Sequence, residues 1–226
     1  MKISVQDLVE KKTCPQDLKI YEYFNLDQID WSGKKITIND KDYYDSITWL
    51  VENFKIPNVQ IIFRDPYDQN YWEKIEFNEF GLETRFEDST KFWHRKEYNE
   101  LGFITRYEDS TEYWYEKEYN KLGLETKFED STKYWYKKEY NKFGLETKFE
   151  DSKGFLWKKE YNEFGLETKF EGSDEYLYKK EYNKFGLITK FEDSKENWYK
   201  KEYDKDNLEI KYEGSDGERR IKLLVE

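Results

Sequence analysis

The chain has little of what disulfide-rich, metal-binding or membrane proteins need. It contains one cysteine, one histidine and three prolines among 226 residues. The single Cys14 excludes an intramolecular disulfide framework and agrees with a reducing compartment. No stretch approaches the roughly 20 apolar residues that span a membrane, and the first residues lack the apolar run of a signal peptide. We therefore predict a cytoplasmic protein without membrane contact, either of a cell or of a virus acting in the host cytoplasm.

A basic excess is also missing. The formal net charge is −11, whereas nucleic-acid binding needs a basic stripe that meets the phosphates, so direct nucleic-acid binding is disfavoured. Both charge signs alternate along this acidic chain, which indicates solvated faces. Hydrophobic residues make up only 36% of the chain, but aromatic residues make up 20%. Tyr and Trp combine an apolar body with a polar tip and suit half-buried sheets and binding faces.

The strongest feature present is a repeat of 21 residues, which marks a repeat architecture. Each unit holds two runs in which aromatic residues and Thr alternate with charged residues, as strands do. An Asn-x-x-Gly loop joins the runs, and its Gly supplies a positive φ. Each unit is therefore predicted to be one β-hairpin. The structural turn glycines are Gly81, Gly102, Gly123, Gly144, Gly165 and Gly186.

The predicted fold is mainly β: an elongated, coiled or twisted antiparallel β-meander of about seven hairpin repeats, with a small α-helical N-terminal cap domain. The predicted domains are residues 1–56 and 57–226, with full repeats over about 71–217 and half-units at 59–64 and 218–224. About 16 strands at ~4.8 Å would extend over ~75 Å. Within the first domain the sequence predicts two short helices before residue 25, a strand from Lys35 to Asn39, and a helix capped by Asp45 or Ser46 and ended by Pro57.

The register of the hairpins follows from keeping the aromatic residues on one face. The predicted pairs across the two loops are Phe86 with Phe92 and Tyr98 with Phe103. This register puts Glu83, Arg85 and Arg95 on the opposite face, where Arg95 would face Glu83 as an opposite-charge pair.

With the hairpins laid out, Tyr140-Asn141-x-x-Gly144 resembles the Tyr-Asp-x-x-Gly core of YD (RHS-type) repeats. The match recurs through most of residues 59–224. It implies the hairpin architecture. We do not expect the toxin function to carry over, because Asn replaces the usual Asp, the array is short for a closed cocoon and no toxin segment follows. The N-terminal Leu8-x5-Cys14-x3-Leu18-x5-Phe24 pattern is similar to uncharacterised phage and prophage proteins with tandem tails.

No residues form a recognisable catalytic or cofactor site. His94 falls where other repeats have Tyr, so we interpret it as a variant aromatic residue and not as a general base. Cys14 lacks a positioned base and fits a small buried helix residue. The recurring Glu-Asp pairs fit solvated turns better than calcium ligands, which would have to converge on one ion. We predict no enzyme activity, no cofactor and no bound metal.

The aromatic face gives the functional hypothesis, because exposed apolar surface usually marks an interaction site. We predict a non-enzymatic protein-binding or inhibitor module, phage- or prophage-encoded, acting on a host protein such as a defence nuclease; a homodimer is a further expected partner. The alternative is a carbohydrate- or cell-wall-binding aromatic repeat protein. The candidate partner-binding residues are Tyr113, Tyr115, Tyr119, Tyr134, Tyr136, Tyr140, Tyr176, Tyr178 and Tyr182.

Overall fold

A computed structural model describes residues 33–221 of the chain. The two helices predicted before residue 25, Cys14 and the end of the C-terminal half-unit lie outside the described residues. The chain divides into two compact units, residues 1–117 (unit one) and 118–226 (unit two), and the division falls within a strand. Whether residue 56 is a domain boundary stays a prediction.

Unit one combines one described helix with the first strands of the meander. β1 pairs in parallel with β2, and each strand from β2 onwards pairs antiparallel with the next as far as β7. The elements are β1 (Lys35–Ile38), α1 (Lys41–Phe54), β2 (Gln60–Arg64), β3 (Trp72–Phe77), β4 (Glu83–Asp88), β5 (Trp93–Tyr98), β6 (Ile104–Asp109) and β7 (Trp114–Tyr119).

Unit two consists of antiparallel strands joined by alternating turns. Each strand from β8 to β16 pairs with the strand that follows it. The strands are β8 (Glu125–Asp130), β9 (Trp135–Tyr140), β10 (Glu146–Asp151), β11 (Leu156–Tyr161), β12 (Glu167–Gly172), β13 (Leu177–Tyr182), β14 (Ile188–Asp193), β15 (Trp198–Tyr203), β16 (Glu209–Gly214) and β17 (Arg219–Ile221). The predicted meander of 21-residue hairpins is confirmed.

α1 packs on the first hairpin and forms the only fully buried core among residues 33–221. Its buried side chains are Tyr44, Ile47, Leu50 and Val51. They meet a group of buried residues on the strands and connections: Ile38, Ile56, Val59, Ile61, Phe63, Ile75 and Phe77. Phe86 packs at the edge of this cluster. The apolar side chains that alternate along β2 and β3 therefore face the helix.

The prediction of a helix start at Asp45 or Ser46 is wrong. α1 begins at Lys41, and its N-cap is Asp40, whose carboxylate accepts the backbone N–H of Tyr43 at 3.2 Å. Tyr44 is 2% exposed, and its ring centroid lies 5.5 Å from that of Phe63. Packing of Tyr44 against the sheet thus stabilises one helical turn before Asp45 and Ser46, the residues that the sequence indicated as N-caps.

Asn and Gly fix the turn that joins the two strands of a repeat. Asn141 Oδ1 accepts the backbone N–H groups of Phe143 at 2.9 Å and Leu145 at 3.1 Å, and Gly144 has φ +80°. A side-chain oxygen two residues before its donor is the Asx-turn geometry, which Asn and Asp form equally. Asp204 makes the same two bonds at 2.9 Å. Asn therefore replaces the Asp of the YD pattern without loss of the turn.

The predicted register is wrong in both ladders, by two residues at Phe86 and by one residue at Tyr98. Phe86 pairs with His94 and not with Phe92, because Asp88 N–H donates to Phe92 C=O at 3.0 Å and closes the loop one residue later. In the other ladder Tyr98 pairs with Ile104, not with Phe103. In the first ladder, the shift of two residues keeps Phe86 and its partner ring His94 on one face, as the period of a strand requires.

A β-bulge changes the face of one residue in each repeat. In β4 the pairing moves from Phe77–Glu83 to Glu76–Arg85, so Thr84 is the extra residue. A bulge turns the residues on its two sides out of simple alternation. Glu83 consequently lies on the aromatic face, and the predicted Arg95–Glu83 pair does not form; Arg95 Nη1 instead lies 3.6 Å from Glu108 Oε1.

Candidate functional site

A continuous row of rings, here called the ring ladder, runs over the aromatic face of each unit. In unit one, neighbouring centroids are 5.3 to 5.7 Å apart along Phe86, His94, Tyr107 and Tyr115. In unit two, they are 5.2 to 6.3 Å apart along Phe128, Tyr136, Phe149, Trp157, Phe170, Tyr178, Phe191, Tyr199 and Tyr212. Such ring pairs contribute about 0.5–1.5 kcal/mol each beyond area burial. Within each unit, the ladder therefore ties one hairpin to the next.

A second row of rings, the outer ring row, lies beside the ladder near the Asp-containing turns. It consists of Phe92, Tyr113, Tyr134, Phe155 and Tyr176, which meet the ladder at interplanar angles of 53° to 68°. Tyr113 is 38% exposed and Phe155 is 51% exposed. Among the rings of this face, the outer ring row offers the most surface to a partner.

The tyrosine of the Tyr-Asn-x-x-Gly motif supports the bulge. The Tyr140 hydroxyl donates to Glu125 C=O at 2.8 Å, and the Tyr182 hydroxyl donates to Glu167 C=O at 2.6 Å. Tyr119 occupies the same position in β7. Because these hydroxyls satisfy a backbone carbonyl next to the bulge, the motif tyrosines hold the sheet together and cannot also offer that hydroxyl proton to a partner.

Glu83, which the bulge places on the aromatic face, lies among the rings and cations of that face. Glu83 bonds to His94 Nε2, and Lys96 Nζ donates to it at 2.9 Å. Burial would raise the pKa of the Glu83 carboxyl, but the bonds from His94 and Lys96 outweigh burial and hold that pKa below its ordinary value.

Unit two repeats the arrangement with tyrosine in the place of histidine. Glu167 accepts the Tyr178 hydroxyl and lies 3.1 Å from Lys159 Nζ and 3.3 Å from Lys180 Nζ. Burial again raises the pKa of Glu167, and the bonds from Tyr178 and Lys159 bring the net pKa below its ordinary value. The same contact raises the pKa of the Tyr178 hydroxyl, after burial as the first cause. His94 is thus a variant ring with the same partner, as its place in the period predicts.

Lysines cover the ring faces beyond the helix. Lys138 Nζ lies 5.0 Å from the Tyr136 centroid, and Lys180 Nζ lies 4.3 Å from that of Tyr178. The equivalent position in the first hairpin is Ile75, which α1 buries. The sequence therefore places an apolar residue where α1 covers the face and a lysine at the equivalent position of later repeats.

Six exposed apolar residues at the Asn-x-x-Gly turns were missed by the sequence analysis. These tip residues precede the turn glycine and are 56–71% exposed: Phe80, Leu101, Leu122, Phe143, Phe164 and Phe185. Their signal was a Phe or Leu repeated at a loop position where polar residues are usual. The turn does not need an apolar residue at this position, since Asp206 holds it in the last hairpin.

The opposite face of the sheet carries Lys–Glu pairs. Lys169 Nζ lies 2.6 Å from Glu171 and 3.4 Å from Glu160, and Lys148 lies 2.9 Å from Glu150 and 3.5 Å from Glu139. Exposed pairs of this kind contribute little stability each. They balance the charges of this face between the Trp and Leu side chains that begin the strands, such as Trp135 and Leu177.

Comparisons with known proteins return distant fold similarity only. No protein-family model and no curated protein matches the chain. A crystal structure of TcdB2-TccC3-TEV is 11% identical and has a TM-score of 0.41 over 64% of this chain and 9% of that chain. A Tc holotoxin pore of Photorhabdus luminescens is 9% identical, with a TM-score of 0.39 over 64% of this chain and 10% of that chain. The chain thus spans about one tenth of these proteins.

Among residues 33–221, the structure contains no helix that could span a membrane.

Proposed function

We propose that the chain is a non-enzymatic protein-binding module whose aromatic face receives the partner. One observation supports this most directly: the amphipathic helix α1 already packs on the first hairpin of that face. Within the described part of unit two, no helix packs on the outer ring row, although Lys153 and Lys195 lie over the Tyr134 and Tyr176 rings. The aromatic face therefore packs against an apolar helix stripe in unit one and presents similar, partly exposed rings in unit two.

The chemistry of the open part suits reversible binding. Interfaces of non-obligate complexes are about as polar as the rest of a protein surface, with Tyr, Trp and Arg as their energetic anchors. Lys159 and Lys180 both pair with Glu167 on this face, which gives it polar groups between the rings. Tyr134 and Tyr176, in the outer ring row of the same face, supply the amphipathic anchors.

The more specific hypothesis is a phage- or prophage-encoded inhibitor that acts in the host cytoplasm on a host protein such as a defence nuclease. Its support is the sequence resemblance to phage and prophage proteins. Capture of one stoichiometric host protein on immobilised chain, followed by its identification and by inhibition of its activity, tests it.

The carbohydrate alternative is disfavoured by the ring geometry. A sugar stacks on an open ring face, but the rings of the ladder lie face to face at interplanar angles such as 10° between Phe170 and Tyr178. In the outer ring row, Lys153 Nζ lies 5.3 Å from the Tyr134 centroid and Lys195 Nζ lies 5.1 Å from that of Tyr176. Binding on a glycan array would restore this alternative.

A pair of matched variants tests the proposed face. Tyr134→Ser with Tyr176→Ser removes two outer rings, and Trp135→Ser with Leu177→Ser removes the next residues along the same strands, which point to the opposite face. Truncation of an interface anchor costs about 2 kcal/mol or more, so we expect the tyrosine variant to lose capture and the control to keep it. Both must retain the circular dichroism of the parent. Loss of capture in the control alone would place the binding surface on the other face.

A further inference from the structure

The tip residues are free of any role in the turn. Asn162 Oδ1 accepts the N–H groups of Phe164 and Leu166, each at 3.0 Å, and Gly165 has φ +78°. The Phe164 ring takes part in none of these bonds, and the side chain is 71% exposed. The exposed Phe164 side chain therefore contributes nothing to the turn, and its apolar character has to be explained by another role.

In unit two the tip residues form a regular row along one edge of the sheet. Leu122, Phe143, Phe164 and Phe185 lie in successive hairpins, so neighbouring tips are two strands, or about 9.6 Å, apart. A helix with a heptad stripe repeats every ~10.5 Å and would lose register along such a row. A second copy of the same edge has the same spacing and keeps register.

The charged residue before each tip gives the direction of pairing. In sequence order these residues are Glu79, Glu100, Lys121, Lys142, Glu163, Lys184 and Lys205. In unit two, an antiparallel alignment centred on Phe143 sets Lys121 of each copy against Glu163 of the other. Lys142, whose Nζ lies 4.9 Å from the Phe143 centroid, then meets its own copy. A two-fold axis produces such self-complementary pairs, since residue i meets j and j meets i.

We propose that two copies of the chain associate edge to edge, antiparallel, through the turns of unit two. Phe143 meets its own copy near the axis, and Leu122 of each chain packs on Phe164 of the other. Lys121 forms an ion pair with Glu163 across the contact, twice. Sheet twist rotates successive hairpins away from the contact, which confines it to the turns near the axis. This inference uses a different surface from the proposed function and does not depend on it.

The area predicts a weak dimer. A largely exposed Phe or Leu offers about 100–150 Å², so three tips per copy bury about 750 Å² in total, below the ~1,600 Å² of a standard interface. A contact below the standard size is typical of weak, transient association. The dimer should therefore form at high protein concentration or when a bivalent partner holds two copies together.

Sedimentation velocity of the purified chain from about 5 to 500 µM tests the proposal. We expect the weight-average sedimentation coefficient to rise with concentration. For Phe143→Ser we expect the apparent affinity of dimerisation, fitted from that rise, to fall at least tenfold. Phe143 is an exposed turn tip, and Asp206 at the equivalent position of the last hairpin shows that a polar residue is tolerated there. A monomer at every concentration would overturn the proposal, as would unchanged association of Phe143→Ser.

A charge exchange separates this pairing from unspecific apolar contact. Lys121→Glu and Glu163→Lys should each weaken association, and the double exchange should restore it, because the pair is then re-formed with reversed signs. Glu175→Lys, at an exposed turn of the opposite edge, is the control and should leave association unchanged. If the double exchange stays as weak as the single ones, the antiparallel alignment is wrong. The Tyr134→Ser, Tyr176→Ser variant should still self-associate, so failure of the proposed binding face would not affect this result.

Discussion

Replacing Gly81 with alanine adds a methyl group where the first repeat turn meets the end of α1. An ideal Cβ at Gly81 would lie 2.4 Å from both C and Cα of Lys55, atoms that cannot move without moving the helix end. Gly81 also has φ +66°. Two costs therefore add: about 1–2 kcal/mol for a left-handed alanine and about 1–3 kcal/mol for overpacking against rigid atoms. We expect Gly81→Ala to destabilise the first hairpin by about 3–4 kcal/mol.

Two other glycines separate these costs. Gly144 has φ +80°, and its added Cβ would lie 3.3 Å from Leu124 Cδ1, the mobile end of a side chain. Gly154 has φ +81° and no atom within 4 Å of that position. We expect Gly154→Ala to cost about 1 kcal/mol for the backbone alone and Gly144→Ala to cost about 1–2 kcal/mol. The expected order is Gly81, Gly144, Gly154.

The assay has to report locally, because repeat arrays do not unfold as one cooperative unit. Native-state hydrogen exchange gives an opening free energy for each turn. The reporters for Gly81 are Ile56 N–H, bonded to Val51 C=O at 3.1 Å, and Asn58 N–H, bonded to Asn78 C=O at 2.9 Å. Equal losses for Gly81→Ala and Gly154→Ala would show that Lys55 does not pack against this turn, and the reasoning would fail.

Three more perturbations test other parts of the structure. Lys133, with φ +69°, stands where Gly154 stands in the next repeat, so Lys133→Gly should stabilise that turn by about 0.5–1 kcal/mol in local exchange, while Lys133→Ala should not. The pKa of Glu167 is lowered by folding, so its stabilisation is complete above the ordinary value of 4.5 and is lost as pH falls below it. The opening free energy of β12 and β13 from hydrogen exchange should drop over that range in the parent and less in Glu167→Gln. Deleting residues 134–154, one whole period, should keep the β circular dichroism, whereas deleting residues 134–143 should lose it, and equal behaviour would argue against the period as the folding unit.

The sequence was a good guide wherever one residue decides a local conformation. Asn141 and Gly144 together specify their turn, and the alternation of aromatic and charged residues specifies the strands. The half-unit predicted at 59–64 corresponds to β2, and the strand predicted from Lys35 corresponds to β1. These features depend on chemistry within a few residues, which a single sequence contains.

The sequence was a poor guide where the structure depends on a residue elsewhere. The bulge at Thr84 has no local marker, since Glu-Thr-Arg reads as a regular strand, and it appears only when β4 is paired with β3. For that reason the site of Glu83 among His94 and Lys96 was not foreseen. The early start of α1 likewise depends on the contact between Tyr44 and Phe63. The tip residues were different. The sequence shows the Phe or Leu repeated before each turn glycine, and only the structure shows that these side chains are exposed.

One face of this sheet shows how the same backbone position serves a core and an open surface. Ile75 is 6% exposed beneath α1, whereas Lys159, at the equivalent position four repeats later, pairs with Glu167 at 3.1 Å and lies 4.7 Å from the Trp157 centroid. A half-exposed ion pair contributes about 0–1 kcal/mol and a ring contact about 0.5–1.5 kcal/mol, so each open repeat is held by little. A partner at one hundred times its dissociation constant adds about 2.7 kcal/mol to the state it binds. Partner binding on the aromatic face should therefore order the open hairpins as well as occupy them, and protection from hydrogen exchange should rise there on binding.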